Sequence, residues 1–596
     1  MKSKLELCLK IVAFLLIIIS LIIVYLNPSV GYEVSIYKST PFYFWIFLLC
    51  SYFIGFATLL YQLNYNNDNA TTNNNKEWVT SALILITCNV IFLYLFIIKG
   101  YAFYGRADNL SHLGYVIDIY NSGYISEENI YPLVHILLSI ISIFSNIPST
   151  TVMKFLAGFC SILFIINIYL VTLVAFKKKT EVLITLASAN ILFFGSFFLE
   201  GYHISSVPNS ITDFMYPLIL YLYFKKSNVS YNILFIIILL AFPFFHPLST
   251  ISLLVVFLAF EFYNLIESGL KKPSSFSTRP LVILFVTFLV WISSFRMFNN
   301  TLWRISSFLI KEANNSPATD VAGIIDKMGF SAFELIEIIL KLYGQNLLFL
   351  FISFVSIVLL IRNKDEYIGY VNLYKFGFAQ VLLVVIFVIL FLIPFGFNHY
   401  RWISYLSIFS IILSTVTLIK IQKKGLISLV IIIIFISAMT GVFNLYNSPY
   451  KSQPNQQITI AEFDGFEWFL KNKNPNLKIA SVQSVSFYRF VDGISGVSTR
   501  EARSDISNYT VTKKDSESIL PDHFNYTKFE NLGYSFSEDR YVHFSHYDLS
   551  LYTEVWPRLG RYTNDDFAQI ENDSSIEKFY SNGDVNFYKV CSNIKR

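Results

Sequence analysis

Apolar runs separated by short charged turns occupy the first three quarters of the chain. A bilayer core about 30 Å thick needs roughly 17–25 mostly apolar residues per helix. On that template the runs predict thirteen spans, near 11–26, 41–63, 79–98, 150–176, 181–200, 211–224, 231–246, 248–266, 280–298, 345–362, 373–394, 402–420 and 425–445. Two polar segments, 99–149 and 299–344, interrupt them, and an Asn-rich run fills 64–77. Within the first segment Leu110, Leu113, Val116, Ile117 and Tyr120 recur at helical spacing and Gly123 supplies a stop, so a helix is expected on the membrane surface. The stretch from Pro132 to Ile147 is too short to cross comfortably and reads as a second interfacial helix. From about 446 the pattern changes: an amphipathic helix near 460–472, then Asn582-Gly583 between two strand-like runs, Ile576 to Tyr580 and Val585 to Val590. A small mixed α/β domain is predicted there.

Composition agrees and narrows the class. With 54% apolar residues and only 14% charged among 596, the chain is no ordinary soluble enzyme. Residues 446–596 carry a net charge of −3 and residues 1–445 a net of +8, so two different surroundings are implied. Positive residues mark the cytoplasmic ends of short loops. They fall on alternate connections: the amino end, Lys177 to Lys179, Lys225-Lys226, Lys271-Lys272 with Arg279, Arg362 with Lys364, and Lys420 with Lys423-Lys424. The amino terminus is therefore expected inside, as a retained first span, and both polar segments and the carboxyl domain outside. Three units are expected: an amino-terminal transmembrane hairpin (1–78), a transmembrane module (79–445) and an extracytoplasmic α/β domain (446–596). Five cysteines show neither a disulfide framework nor zinc spacing. The net acidic tail, with no polybasic stripe elsewhere, argues against nucleic acid.

With that orientation the ionisable groups gather on one side. His112, His135, His203, His246 and His399 all lie at or beyond outer span ends, with Arg106, Asp108, Glu200, Asp213 and Arg401. Interfacial solvation accounts for any single one of them; ten together suggest a site. No phosphate loop, His-Glu-x-x-His, nucleophile elbow or Asp-x-Asp is present, so ATP-driven transport and nucleotide-sugar chemistry have no motif behind them. His543 and His546 sit in a strand-like run, three apart and on opposite faces, a poor metal pair.

The stretches YGRADNLSHLGYVIDIYNSG (104–123) and NIYPLVHILLSIISIFSNIPSTTVMKFLAGF (129–159) resemble the first outer loop and next span of GT-C glycosyltransferases. The similarity is to the branch holding protein O-mannosyltransferases and lipid A aminoarabinose transferases. Asp108, Gly123 and Tyr131-Pro132 match, in order, that branch's acidic residue, helix-ending glycine and Pro-containing segment. Where the family often has Asp-Glu, this chain has Asp108-Asn109. AFPFFHPLST (241–250) and FNHYRWISYLSIF (397–409) agree as well, and the carboxyl domain resembles outer domains of archaeal membrane proteins of this kind.

The resemblance implies a GT-C-like polytopic fold and transfer of a sugar from a polyprenyl phosphate to a glycan, lipid or protein acceptor on the outer face. Such a displacement needs a carboxylate to take the acceptor's proton and cations to hold the departing phosphate. Asp108 is the candidate base, with N-capping of its helix as the structural alternative. Arg401 is the candidate phosphate ligand, with His246, His399 and Arg106 beside it. Glu200, His203 and Asp213 flank a short outer turn, a place for the acceptor or a divalent cation if the turn is not simply solvated. No cofactor is required by the motifs. Two other classes remain open: a polysaccharide polymerase or ligase using lipid-linked glycans, and a flippase or transporter, which calls for ionisable groups at the membrane midplane or paired repeats.

Overall fold

The computed structural model describes residues 2–64, 77–191, 202–268, 279–296, 298–300, 331–392, 401–423, 425–481, 484–502, 526, 530–559 and 562–592. The first apolar runs form α1 (Lys2–Tyr25), α2 (Phe42–Tyr61) and α3 (Glu77–Ile98), which pack on one another. After a two-residue strand β1 (Phe103–Tyr104), the first polar segment folds as α4 (Asp108–Ser122) and α5 (Pro132–Ser145). Gly123 ends α4 with φ of 72°, the left-handed conformation glycine adopts without strain.

The remaining bundle comprises α6 (Ser149–Ala175), α7 (Lys179–Ala189), α8 (Pro208–Lys225), α9 (Val229–Phe245), α10 (Pro247–Glu267), α11 (Arg279–Ile292), α12 (Ala332–Arg362), α13 (Val371–Leu392), α14 (Trp402–Lys423) and α15 (Ile427–Leu445). Among the described residues nine helices, α1 to α3, α6, α10 and α12 to α15, are long and apolar enough to cross a membrane. The shorter α5, α9 and α11 are apolar too. α14 is the most enclosed of the long helices: it packs on α7, α8, α12, α13 and α15, with Arg401 at its amino end.

One boundary differs from the sequence reading. The last part of the polar segment 299–344 is already helix, because Ser331 accepts the Glu334 N–H while the Glu334 carboxylate accepts the Ser331 N–H. This reciprocal cap starts α12 at Ala332. Phe333, Ile336 and Leu340 then face outward while Gln345 and Asn346 face the bundle.

The carboxyl region begins with β2 (Gln457–Ile458), which pairs antiparallel with β1, Phe103 opposite Ile458 and Tyr104 opposite Gln457. It continues as α16 (Ile460–Asn472), β3 (Lys478–Ser481), α17 (Ser484–Ser495), α18 (Val497–Ala502), β4 (Arg540–Ser545), β5 (Ile576–Ser581) and β6 (Val585–Val590). The sheet order is β3-β4-β6-β5, with β3 parallel to β4 and the other pairs antiparallel. Asn582-Gly583 makes the β5–β6 turn, Gly583 at φ 94°. α16 and α17 pack on one face of the sheet through stacked rings, Phe466 on Phe490 at 4.1 Å and Phe469 on Phe587 at 4.0 Å. The expectation that His546 continues the strand does not hold. Ser545 accepts the Asp548 N–H and opens a short helix at His546, so His543 is buried against Phe466 and Phe587 while His546 is exposed.

α17 lies against α4 closely enough that glycines are required at the seam. A Cβ on Gly114 would stand 2.6 Å from the Asp492 carbonyl oxygen, and one on Gly493 would meet the Leu110 side chain at 2.8 Å.

Candidate functional site

A cavity of about 300 Å³ opens at the end of the bundle that carries the carboxyl region. Its floor and walls come from segments far apart in the chain. α4 contributes Asp108, Ser111, His112 and Tyr115, spaced so that all four share one helix face. Tyr131 precedes α5, Val207 to Asn209 open α8, His246 joins α9 to α10, and Arg401 precedes α14. α17 adds Tyr488, Arg489 and Asp492, and α18 adds Val497 and Arg500.

Asp108 is the first residue of α4, and Ala107 occupies the cap position, so the N-cap alternative is not what the structure shows. The Asp108 carboxylate instead meets Arg489 at 2.9 Å, its side chain half exposed to the cavity. Asn109, one residue on, turns away: its amide donates to the Tyr104 carbonyl and accepts from Ser205, and it is buried. It fixes the entry to α4 and does not stand in for a second carboxylate. Across the cavity Arg500 donates to Asp492 at 2.5 Å, and Ser111 donates to the other Asp492 oxygen. Burial raises the Asp492 carboxyl above its ordinary range, against the opposing pull of Arg500 and Ser111.

Arg401 has no carboxylate partner among the described residues; its Nη1 lies 3.2 Å from His246 Nε2. A guanidinium only donates, so Nε2 accepts from it, while the Ser249 backbone N–H, also donor-only, reaches Nδ1 at 3.2 Å and makes His246 the N-cap of α10. Nδ1 also lies 2.9 Å from Ser249 Oγ. Ser249 Oγ donates onward to Asp213 Oδ1 at 3.0 Å, and Ser404 and Tyr202 donate to Asp213 Oδ2. Arg401 is thus held by a chain of hydrogen bonds that ends on a buried carboxylate.

Of the residues singled out in the sequence, Asp108, His112, His246 and Arg401 come together here. Asp213 does not flank a solvated turn; it is fully buried as the terminus of the chain behind Arg401. His203 is buried too, 2.7 Å from Ser161 Oγ. Arg106 is not in the cavity. Its fork binds both Glu462 oxygens, at 2.6 and 2.5 Å, and the Gln457 carbonyl, under the Tyr547 ring, so four of its five N–H donors are committed and it fastens the carboxyl region to β1. Glu200 and His399 lie outside the described residues. No group of three His, Cys, Asp or Glu among the described residues is placed to hold a metal ion.

No protein-family model and no curated protein matches this chain. Solved structures do. The Archaeoglobus fulgidus oligosaccharyltransferase, in a crystal structure with Zn and sulfate, superposes with a TM-score of 0.47 at 12% identity, over 85% of this chain and 72% of that one. The archaeal oligosaccharyltransferase AglB from Archaeoglobus fulgidus, in complex with an inhibitory peptide and a dolichol-phosphate, gives 0.46 at 11%, over 86% and 74%.

Ser111, Arg489, Asp492 and Arg500 are not among the candidates the sequence offers, and Tyr131 enters there only through the Tyr131-Pro132 match. The signal for Arg489, Asp492 and Arg500 was present in YRFVDGISGVSTREAR (488–503), where charges of both signs alternate with Gly493 and Gly496.

Proposed function

We propose that the protein is a membrane glycosyltransferase of GT-C type that moves a sugar from a polyprenyl-phosphate donor to an acceptor hydroxyl on the outer face of the membrane. The observation that carries this reading is the single cavity in which the Asp108 carboxylate and the guanidinium of Arg401, free of any carboxylate among the described residues, both face the same space.

In the reaction the acceptor oxygen forms a bond to the anomeric carbon while the bond from that carbon to the phosphate oxygen breaks. The acceptor's proton passes to Asp108. The polyprenyl phosphate leaves with the bonding electron pair, and Arg401 stabilises its charge by donating to phosphate oxygens. Arg489 orients the Asp108 carboxylate, and His246 acts on Arg401 rather than on the phosphate, because its Nε2 already accepts from the guanidinium. The flippase reading finds less support, since Asp108, His246 and Arg401 stand at the ends of helices.

A second reading, a polymerase or ligase using glycans on a lipid diphosphate, is favoured by one observation: three arginines, Arg401, Arg489 and Arg500, line one cavity. The test serves both. Purified protein is incubated with lipid monophosphate and lipid diphosphate sugars, with and without EDTA, and transfer or donor hydrolysis is followed. Wild type is expected to consume a monophosphate donor, with Asp108→Asn slower by about 100-fold or more. Folded Asp108→Asn protein with near-wild-type transfer sinks the role of Asp108, and turnover of diphosphate donors alone selects the second reading.

A further inference from the structure

His112 lies one turn after Asp108 on the cavity wall, and its hydrogen bonds form a chain whose direction is fixed from one end. The Tyr131 backbone N–H, which can only donate, reaches Asn129 Oδ1 at 3.1 Å, so that atom is the amide oxygen. His135 Nδ1 lies 2.9 Å from the same oxygen and must carry a proton to bond with it. His135 is fully buried, and burial, with His112 beside it, holds its imidazole well below the usual range. A neutral His135 with its proton on Nδ1 has a bare Nε2. That nitrogen is 3.0 Å from His112 Nδ1, which therefore donates to it.

His112 is neutral as well. Burial first, then the Arg489 and Arg401 charges, pushes it down to about 3. Asp108, Asp492, Arg500, Tyr115, Tyr131 and His246 also line the space around it. With Nδ1–H committed to His135, Nε2 keeps its lone pair, and among the described residues it has no partner. A base this weak does not compete with a carboxylate for a proton. It is instead an uncharged acceptor in a cavity whose other polar groups include three guanidinium donors and two carboxylates.

We propose that His112 Nε2 is a binding contact for an uncharged hydroxyl group of the bound substrate, a fixed acceptor that takes an O–H hydrogen bond and gives nothing to an anion. Its relation to Arg401 divides the cavity between a hydroxyl-bearing sugar and the phosphate attached to it. The ownership of that hydroxyl by a sugar rests on the glycosyltransferase reading; the orientation of the imidazole does not.

The test is solid-state ¹⁵N NMR of the full chain labelled at histidine, in lipid bilayers so that no sugar-headed detergent occupies the cavity. His112→Phe and His112→Gln each identify the His112 signals by their loss, so one folded variant suffices. The expected result is a bare Nε2 and a protonated Nδ1 at pH 7 that persist at pH 5. The Nε2 signal is further expected to move upfield with methyl glucoside and to stay in place with sulfate, which has no O–H. A proton on Nε2, an imidazolium at pH 5, or no response to methyl glucoside overturns the proposal. Failure of the glycosyltransferase reading is seen separately, as wild-type protein that consumes no lipid-linked sugar.

Discussion

The Asp108 carboxylate and the Arg489 guanidinium meet at 2.9 Å although one opens the first long polar segment and the other belongs to the carboxyl region. The pair is only partly covered, with Asp108 half exposed and Arg489 one-fifth exposed, so it contributes roughly 0–1 kcal/mol to stability. Arg489→Ala is expected to leave thermal unfolding nearly unchanged while sugar transfer falls about tenfold or more, as the carboxylate loses its orientation. Unfolding curves and initial rates on the same preparation separate the two effects.

The Arg106–Glu462 pair is the opposite case. Both side chains are buried, at 4% and 2% exposure, so removing one partner leaves the other as an uncompensated charge. Arg106→Ala or Glu462→Ala is expected to cost about 3–5 kcal/mol, and the Arg106→Met, Glu462→Leu double variant to recover most of it. Detergent-solubilised yield and unfolding temperature of the three proteins report the difference.

Asp213→Asn replaces an acceptor that receives three hydroxyl donors with an amide that brings donors of its own. The bond from Ser249 weakens, the His246 ring loses part of its support, and Arg401 loosens. The donor KM is expected to rise about tenfold, equivalent to roughly 1.4 kcal/mol, with a smaller change in kcat. Equal losses in kcat and kcat/KM would show that Asp213 serves the chemical step instead.

These residues differ in how far the sequence alone reveals them. α4 with its stop at Gly123, α16 and the Asn582-Gly583 hairpin are written in local periodicity and turn chemistry, and each is found where that pattern puts it; of the thirteen spans expected, nine helices among the described residues are long and apolar enough to cross. Asp108 and Arg401 were visible because charge is scarce around them. Arg489, Asp492 and Arg500 were not, because a charged amphipathic helix in a polar tail looks the same whether its charges face solvent or a cavity; only the packing of α17 on α4 distinguishes the two. Arg106 misled for the same reason. Its neighbour in sequence is Asp108, but its partner in space is Glu462.

Stability is expected to fall as the medium is acidified. His543 is buried among phenylalanines with Arg106 nearby, and burial first, then that charge, lowers it to about 3. Below about pH 6.5 the unfolded chain takes up a proton that the native imidazole refuses, so the stabilising share present at neutral pH is lost as pH falls toward 3. His543→Phe is expected to make the decline between pH 6.5 and 4 shallower by about 1.4 kcal/mol per pH unit. Chemical unfolding at a series of pH values measures the slope.

The glycine seam between α4 and α17 fixes how closely two of the cavity's lining helices pack. Gly114 lies against the Asp492 carbonyl, so the approach of α4 to α17, and with it the Asp108–Arg489 contact, is held by main chain and not by the reach of flexible side chains. Such a seam has no adjustment: a side chain at position 114 has nowhere to go but into the Asp492 main chain.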